Sequence, residues 1–390
     1  MSVVALPDEA YLCALASLPD ATPARLAALA HLAPHEALDA IARGHWVRLP
    51  HLAELLDRPV RRARSAAVDG RGAWQRAAAV ADPEAAWDLH RGHDVQVWPL
   101  ASPDMPVAFA TDLEPPPVLF LRGDPSLLGG ANVAIVGTRR CTRYGRDIAR
   151  NLGRGLADAG FGVVSGLAAG IDAAAHQGVL EAGRGGRAHS GGDGPGRPVG
   201  VVGTGLDVPY PRANTELWHR VAEVGALCSE YPLGTPPAPW RFPARNRLIV
   251  AASDVVVVVE SHGAGGALIT AREALARGRT VLSVPGPIHS PASVGTNALL
   301  SEGAHPCLGL DDVICALGLS VGEPDARVVE PAPGGLDADV LDALGWVPAS
   351  LDQLALRTGA PLPQLTLVLT RLVAAGVVAD HAGFYERVAR

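Results

Sequence analysis

Residues 137–154, GTRRCTRYGRDIARNLGR, carry six arginines against a single acid, Asp147. Guanidiniums at this density suit one chemistry above others, the gripping of phosphate oxygens by paired N–H groups. Their spacing divides them. Arg143, Arg146, Arg150 and Arg154 recur at intervals of three and four residues and therefore share one helix face, a solvated stripe. Arg139 falls instead in the turn Gly137-Thr138-Arg139 that follows the apolar run VAIV, where backbone N–H groups and the next helix N-terminus already favour an anion. A second cluster, WRFPARNRLIV (240–250), sets Arg241, Arg245 and Arg247 around Trp240 and Phe242. Rings that stack on bases beside cations that neutralise phosphate are what single-stranded nucleic acid requires. A third stretch, VSGLAAGIDAAAH (164–176), offers nucleophile, acid and base types in Ser165, Asp172 and His176. Its serine precedes the glycine rather than sitting inside G-x-S-x-G, so Asp172 and His176, four apart on one helix face, read as capping and packing residues.

These residues need a scaffold, and the chain between about 131 and 318 supplies one. VAIV, FGVV, VGVV, ALCS, VVVVV and TVLSV are short, continuously apolar and separated by helical patterns. That is the signature of a parallel sheet covered on both faces, a doubly wound α/β fold whose ligands bind beyond the carboxyl ends of its strands. Neither VGTRRCTRYG nor VGTGLDVPYPRAN completes G-x-G-x-x-G, which argues against a dinucleotide site; Gly203 and Gly205 remain candidates for phosphate contact. Residues 1–110 read as a small helical domain whose opening has a helix-hairpin-helix outline, with Asp20 and Ala21 where such a hairpin wants glycines. The sheet domain is assigned to 111–320, a linker to 321–335, and a winged helix of three helices and a two-strand ribbon to 336–390. The last segment holds four arginines against six acids, so protein contact suits it at least as well as groove reading. The cluster RPVRRAR (58–64) reads as a solvated face, and GRGGRAHSGGDGPGRP (183–198) as a mobile surface loop.

All 33 basic residues of the 390 are arginine, which excludes a P-loop lysine, Schiff-base chemistry and pyridoxal phosphate. A net charge of −7 confines any nucleic-acid binding to a local patch. Five scattered cysteines, with no C-x-x-C pair, read as reduced thiols and not as metal ligands. The absence of a basic signal start and of a long apolar run points to a cytoplasmic protein without membrane insertion.

Seven ordered motifs between about 115 and 310, VAIVGTRRCTRYG, VSGLAAGIDAAAH, GLDVPYPRAN, SEYPLGTPP, FPARNRLIV, GGALITAREAL and VPGPIHSPASVGTNALLSEGA, resemble the DNA-processing protein A family, DprA or Smf. The resemblance implies an extended Rossmann-like fold and sequence-independent binding of single-stranded DNA. It also implies a homodimer and loading of the RecA recombinase during natural transformation, with duplex DNA and single-strand-binding protein as candidate further partners, and neither catalysis nor a cofactor. Carried over by position, it puts Gly137, Thr138, Arg139, Arg143, Ser165 and Gly166, then Phe242, Arg245, Asn246, Arg247 and Gly266, against DNA. Ala267 replaces the family's usual serine, and Arg241 or Arg277 stands in for pocket lysines that this chain lacks. Two other readings stay open: a Rossmann-type nucleotide hydrolase, although GAGGALITARE does not match the P-G-G-x-G-T-x-x-E loop of that class, and a protein adaptor without DNA contact, which leaves the arginine clusters unexplained.

Overall fold

The computed structural model describes residues 6–58, 69–182, 195–318, 335–345, 348–381 and 383–387. The basic cluster after Arg58, the glycine-rich insertion up to residue 194 and the linker up to residue 334 lie outside the described residues. The chain divides into two compact units, Met1–Leu319 and Ser320–Arg390.

The first unit begins with helices Asp8–Ala16, Pro23–Ala27, Pro34–Ala42, Pro50–Asp57, Gly70–Ala79 and Pro83–Gly92. Four of them start on a proline, whose fixed φ and missing N–H suit the first helical position. They pack around Leu15, Ile41, Leu52 and Trp74, and the Trp74 indole donates to the Pro19 carbonyl (2.7 Å). Asp20 takes a φ of 52°, the left-handed conformation for which the sequence pattern wanted glycine.

Nine strands follow in one sheet: β1 (Gln96–Pro99), β2 (Val118–Gly123), β3 (Asn132–Val136), β4 (Gly162–Ser165), β5 (Pro198–Val201), β6 (Ala226–Ser229), β7 (Val255–Val258), β8 (Thr280–Ser283) and β9 (His305–Pro306). Their spatial order is β1-β2-β6-β5-β4-β3-β7-β8-β9. The six strands expected from apolar runs are β3 to β8, all parallel. β1 and β2 add an antiparallel edge beside β6. The expected boundary at residue 110 therefore needs correction, because β1 lies inside the segment read as wholly helical. Its residues QVWP, with Gln96 exposed, form no continuous apolar run; they are held by pairing Gln96–Pro99 with Leu121–Val118. From β3 the chain moves to β4 on one side and only later to β7 on the other, so the sheet's switch point lies at the carboxyl end of β3.

The second unit holds helices Leu336–Leu344, Leu351–Thr358 and Leu362–Ala374, then β11 (Val378–His381) and β12 (Phe384–Arg387), with the two-residue β10 (Ala349–Ser350) against β12. Val340, Leu344, Leu354, Leu365, Leu369 and Val378 fill its core. This is a winged helix.

Asp172 and His176 sit in the buried helix Ile171–Leu180. Asp172 accepts from the Gly166 N–H (3.1 Å), and His176 is fully buried. Burial pulls the His176 pKa down to about 4. Folded protein thus keeps a neutral imidazole where the unfolded chain, titrating near 6.5, takes up a proton, so stability falls as pH drops from about 6.5 to 4. Urea unfolding should show wild type losing about 3 kcal/mol more than His176→Gln across that window, at 1.4 kcal/mol per pKa unit. Parallel pH profiles for the two proteins would refute this assignment.

Candidate nucleic-acid interface

Arg139 projects from the turn at the switch point. The turn is fixed at both ends by Glu260, which follows β7 and is 3% exposed. Its carbonyl accepts from the Thr138 N–H (2.8 Å), while its carboxylate accepts from the Thr142 N–H (2.8 Å) and the Thr142 hydroxyl (2.5 Å). Thr142 in turn caps the helix Arg143–Asp158, its hydroxyl oxygen accepting from the Gly145 N–H (3.1 Å). Gly170, at φ 85°, lies so close beneath that a Cβ there would come within 2.4 Å of the Thr138 carbonyl oxygen.

The turn borders a cavity of about 150 Å³ lined by Arg139, Gly166, Ala168, Tyr210, Phe242 and Arg245 among others. Arg245 comes from the helix Arg241–Ala251 and is 4% exposed. One terminal nitrogen donates to the Gly166 carbonyl (3.0 Å) and to that of Val201; its Nε has no partner. Desolvation lowers its pKa to about 10 against the attraction of Asp172, and the positive charge of Arg139 adds to the lowering. A Cβ at Gly166 would meet the Arg245 guanidinium at 2.4 Å and force it to shift. The exposed Arg139 guanidinium lies 5.1 Å from the centre of the Phe242 ring, on which Tyr210 stacks at 5.2 Å and 24°. Among the described residues Arg139 forms no ion pair. Two mutually repelling guanidiniums facing one small cavity are relieved by an anion between them. Ser165 is buried and its hydroxyl donates to the Ile135 carbonyl (2.6 Å), so it supplies no free nucleophile and no surface for DNA.

The structure gathers only part of the expected set here. Gly137 and Thr138 form the turn, and Arg143 heads the helix beyond it, 3.6 Å from Asp147. Arg241 is held between the rings of Tyr231 (4.8 Å) and Trp240 (5.0 Å). Asn246 is half-buried and does not line the cavity. Gly266 opens the helix Gly266–Ala276, with free space where a Cβ would stand. Besides Ser165, two assignments are corrected. The Arg247 side chain, 8% exposed, pairs with buried Glu230 and donates to the Glu114 carbonyl (2.8 Å). That of Arg277, 6% exposed, is locked to Asp112 (2.7 Å) and Glu273. Both arginines neutralise internal carboxylates and have no charge to spare for phosphate. Of the stripe, Arg150 pairs with Glu181 at 2.5 Å on the surface. Tyr210 and Glu260 were missed; the only trace of the first is its tyrosine-proline pair in a strand-end loop, and nothing in the local sequence marks the second.

A family model described as DNA recombination-mediator protein A matches residues 96–318, and one described as DprA winged helix domain matches residues 323–383. The chain is 39% identical over 258 residues to a DNA processing protein DprA of Mycobacterium tuberculosis, a match covering 64% of this chain and 62% of that protein. It therefore spans less than two thirds of that relative's length. With the DNA processing protein DprA of Bacillus subtilis it is 36% identical over 225 residues, 57% of this chain and 72% of the relative. The X-ray structure of DNA processing protein A from Streptococcus pneumoniae superposes with a TM-score of 0.60 at 26% identity, over 80% of this chain and 98% of that one. With the family model matching more than half of its length, the chain belongs to the DNA recombination-mediator protein A family.

Proposed function

We propose that the protein binds single-stranded DNA without sequence preference, seating a phosphate between Arg139 and Arg245, and that as a homodimer it passes the strand to a RecA-type recombinase. One observation carries the reading: an exposed guanidinium with no ion pair among the described residues and a buried one share a cavity of about 150 Å³ beside the Tyr210–Phe242 stack. A phosphate satisfies the cations, and the rings offer an apolar rim to bases of any identity. Among the described residues that line the pocket there is no Ser, Cys, His, Asp or Glu, which favours binding over hydrolysis. The winged helix fits a protein partner better than duplex DNA. Its third helix has one arginine, Arg371, already paired with Asp337, and it exposes Leu362, Leu367 and Val373.

Arg139→Ala should weaken binding of an oligo-dT by about 1.5–3 kcal/mol, the range for a charge-assisted hydrogen bond, and Arg150→Ala by only a few tenths. Fluorescence anisotropy on folded variants measures both, and equal losses would move the strand onto the helix face. With about three phosphate contacts left after the corrections above, log affinity should fall with log salt at a slope of about −2, at roughly −0.7 per contact. A slope near zero refutes the phosphate pocket. Because Glu260 holds the Arg139 turn without facing the cavity, Glu260→Ala should lose about tenfold in affinity, whereas Glu260→Gln, which keeps an acceptor for Thr142, should lose less. Wild-type affinity in Glu260→Ala would show that the turn needs no such support.

A further inference from the structure

Trp240 precedes the helix that supplies Phe242 and Arg245, yet its ring faces a different space. It is 44% exposed, the Arg241 guanidinium lies 5.0 Å from its centre, and Tyr231 meets it edge-on at 6.2 Å and 81°. Arg241 is fixed in turn by a hydrogen bond to the Pro236 carbonyl and by the Tyr231 ring. An exposed indole held this firmly has already lost the freedom that a ligand would otherwise have to remove. Trp240 lines a cavity of about 830 Å³ between the N-terminal helices and the segments flanking β1 and β2, walled by Leu15, Leu29, Leu32, Pro115 and Ala244.

We propose that this cavity takes a nucleobase, stacked on Trp240, from the nucleotide next to the one whose phosphate occupies the Arg139–Arg245 pocket. The inference rests on the reading of that pocket as a DNA site and extends the strand's path beyond it. Trp240, Ala244 and Arg247 line this cavity from one face of the helix that Trp240 caps, while Phe242 and Arg245 line the phosphate pocket from another, so the proposed strand passes from one to the other round the N-terminal end of that helix. The walls are mostly apolar, the one arginine among them, Arg247, is already committed to Glu230 and Glu114, and the carboxylates of Asp8 and Glu114 in the lining would repel a phosphate. A base carries no charge and has a face to stack, which an indole backed by a guanidinium receives well.

The test compares a dT 12-mer with a 12-mer of abasic residues, which keeps every phosphate and removes every base, on wild type, Trp240→Ala, Trp240→Phe and Ala27→Phe. Ala27 is an exposed residue of the cavity wall, where a larger side chain narrows the cavity without touching the ring. Trp240→Ala should bind the dT strand about tenfold more weakly at unchanged salt slope, Trp240→Phe within about threefold of wild type, and Ala27→Phe several-fold more weakly. All four should bind the abasic strand alike. If wild type binds dT and Trp240→Ala binds it equally well, the base site is wrong while the phosphate pocket stands. Equal losses by Trp240→Ala on both strands also overturn the site, since the ring then only positions Arg241. An unaffected Ala27→Phe removes the base from the cavity. Failure of wild type to bind either strand ends the DNA reading itself.

Discussion

The guanidinium of Arg245 is buried beneath the switch point with no carboxylate within ion-pair distance among the described residues. Such a charge is costly to desolvate, and the surrounding structure is arranged to tolerate it. Carbonyls after β4 and at the end of β5 turn towards it, Gly166 gives up a side chain to let it approach, and Asp172 attracts it while holding the Gly166 N–H. Removing any one of these leaves a charge with less solvation than it needs. The same arrangement leaves spare positive potential at the cavity above, which Arg139 increases. The sheet's connectivity supplies the cleft, and this buried arginine gives the cleft its sign.

The chain was most legible where local pattern and tertiary environment coincide. β3 to β8 are buried on both faces, so their residues are apolar without alternation and the runs show plainly. β1, β2 and β9 lie outside the apolar runs read from the sequence: β1 and β9 carry no continuous apolar run, and β2 directly follows the prolines of a segment read as a joint, so all three are defined by their neighbours across the sheet. Arg139 could be found because a strand, a turn and a helix start fix its place along the sequence. Arg247 and Arg277 could not be told from it by type alone. Their counter-charges Glu230 and Asp112 stand 17 and 165 residues away and became visible only once the chain was folded. Glu260 was hidden for the same reason, 118 residues from the Thr142 that it holds.

Exclusive use of arginine has a physical effect here whatever its origin. A lysine buried as Arg245 is would readily shed its proton, whereas a guanidinium lowered to about 10 is still cationic at neutral pH. Its planar fork also lets one terminal nitrogen serve two carbonyls at once.

The antiparallel pairing of β1 with β2 joins the N-terminal helices to the sheet more closely than a boundary near residue 110 suggests. β2 reads VLFLRG, and its first four residues are buried. A protein trimmed to begin at residue 111 would keep β2 and lose β1, baring a row of unpaired backbone groups on an apolar strand. Such a fragment has an open template for strand addition by other molecules, and its first failure would be aggregation rather than loss of ligand binding. In this chain β1, a short strand ending in Pro99, is what covers that edge of β2.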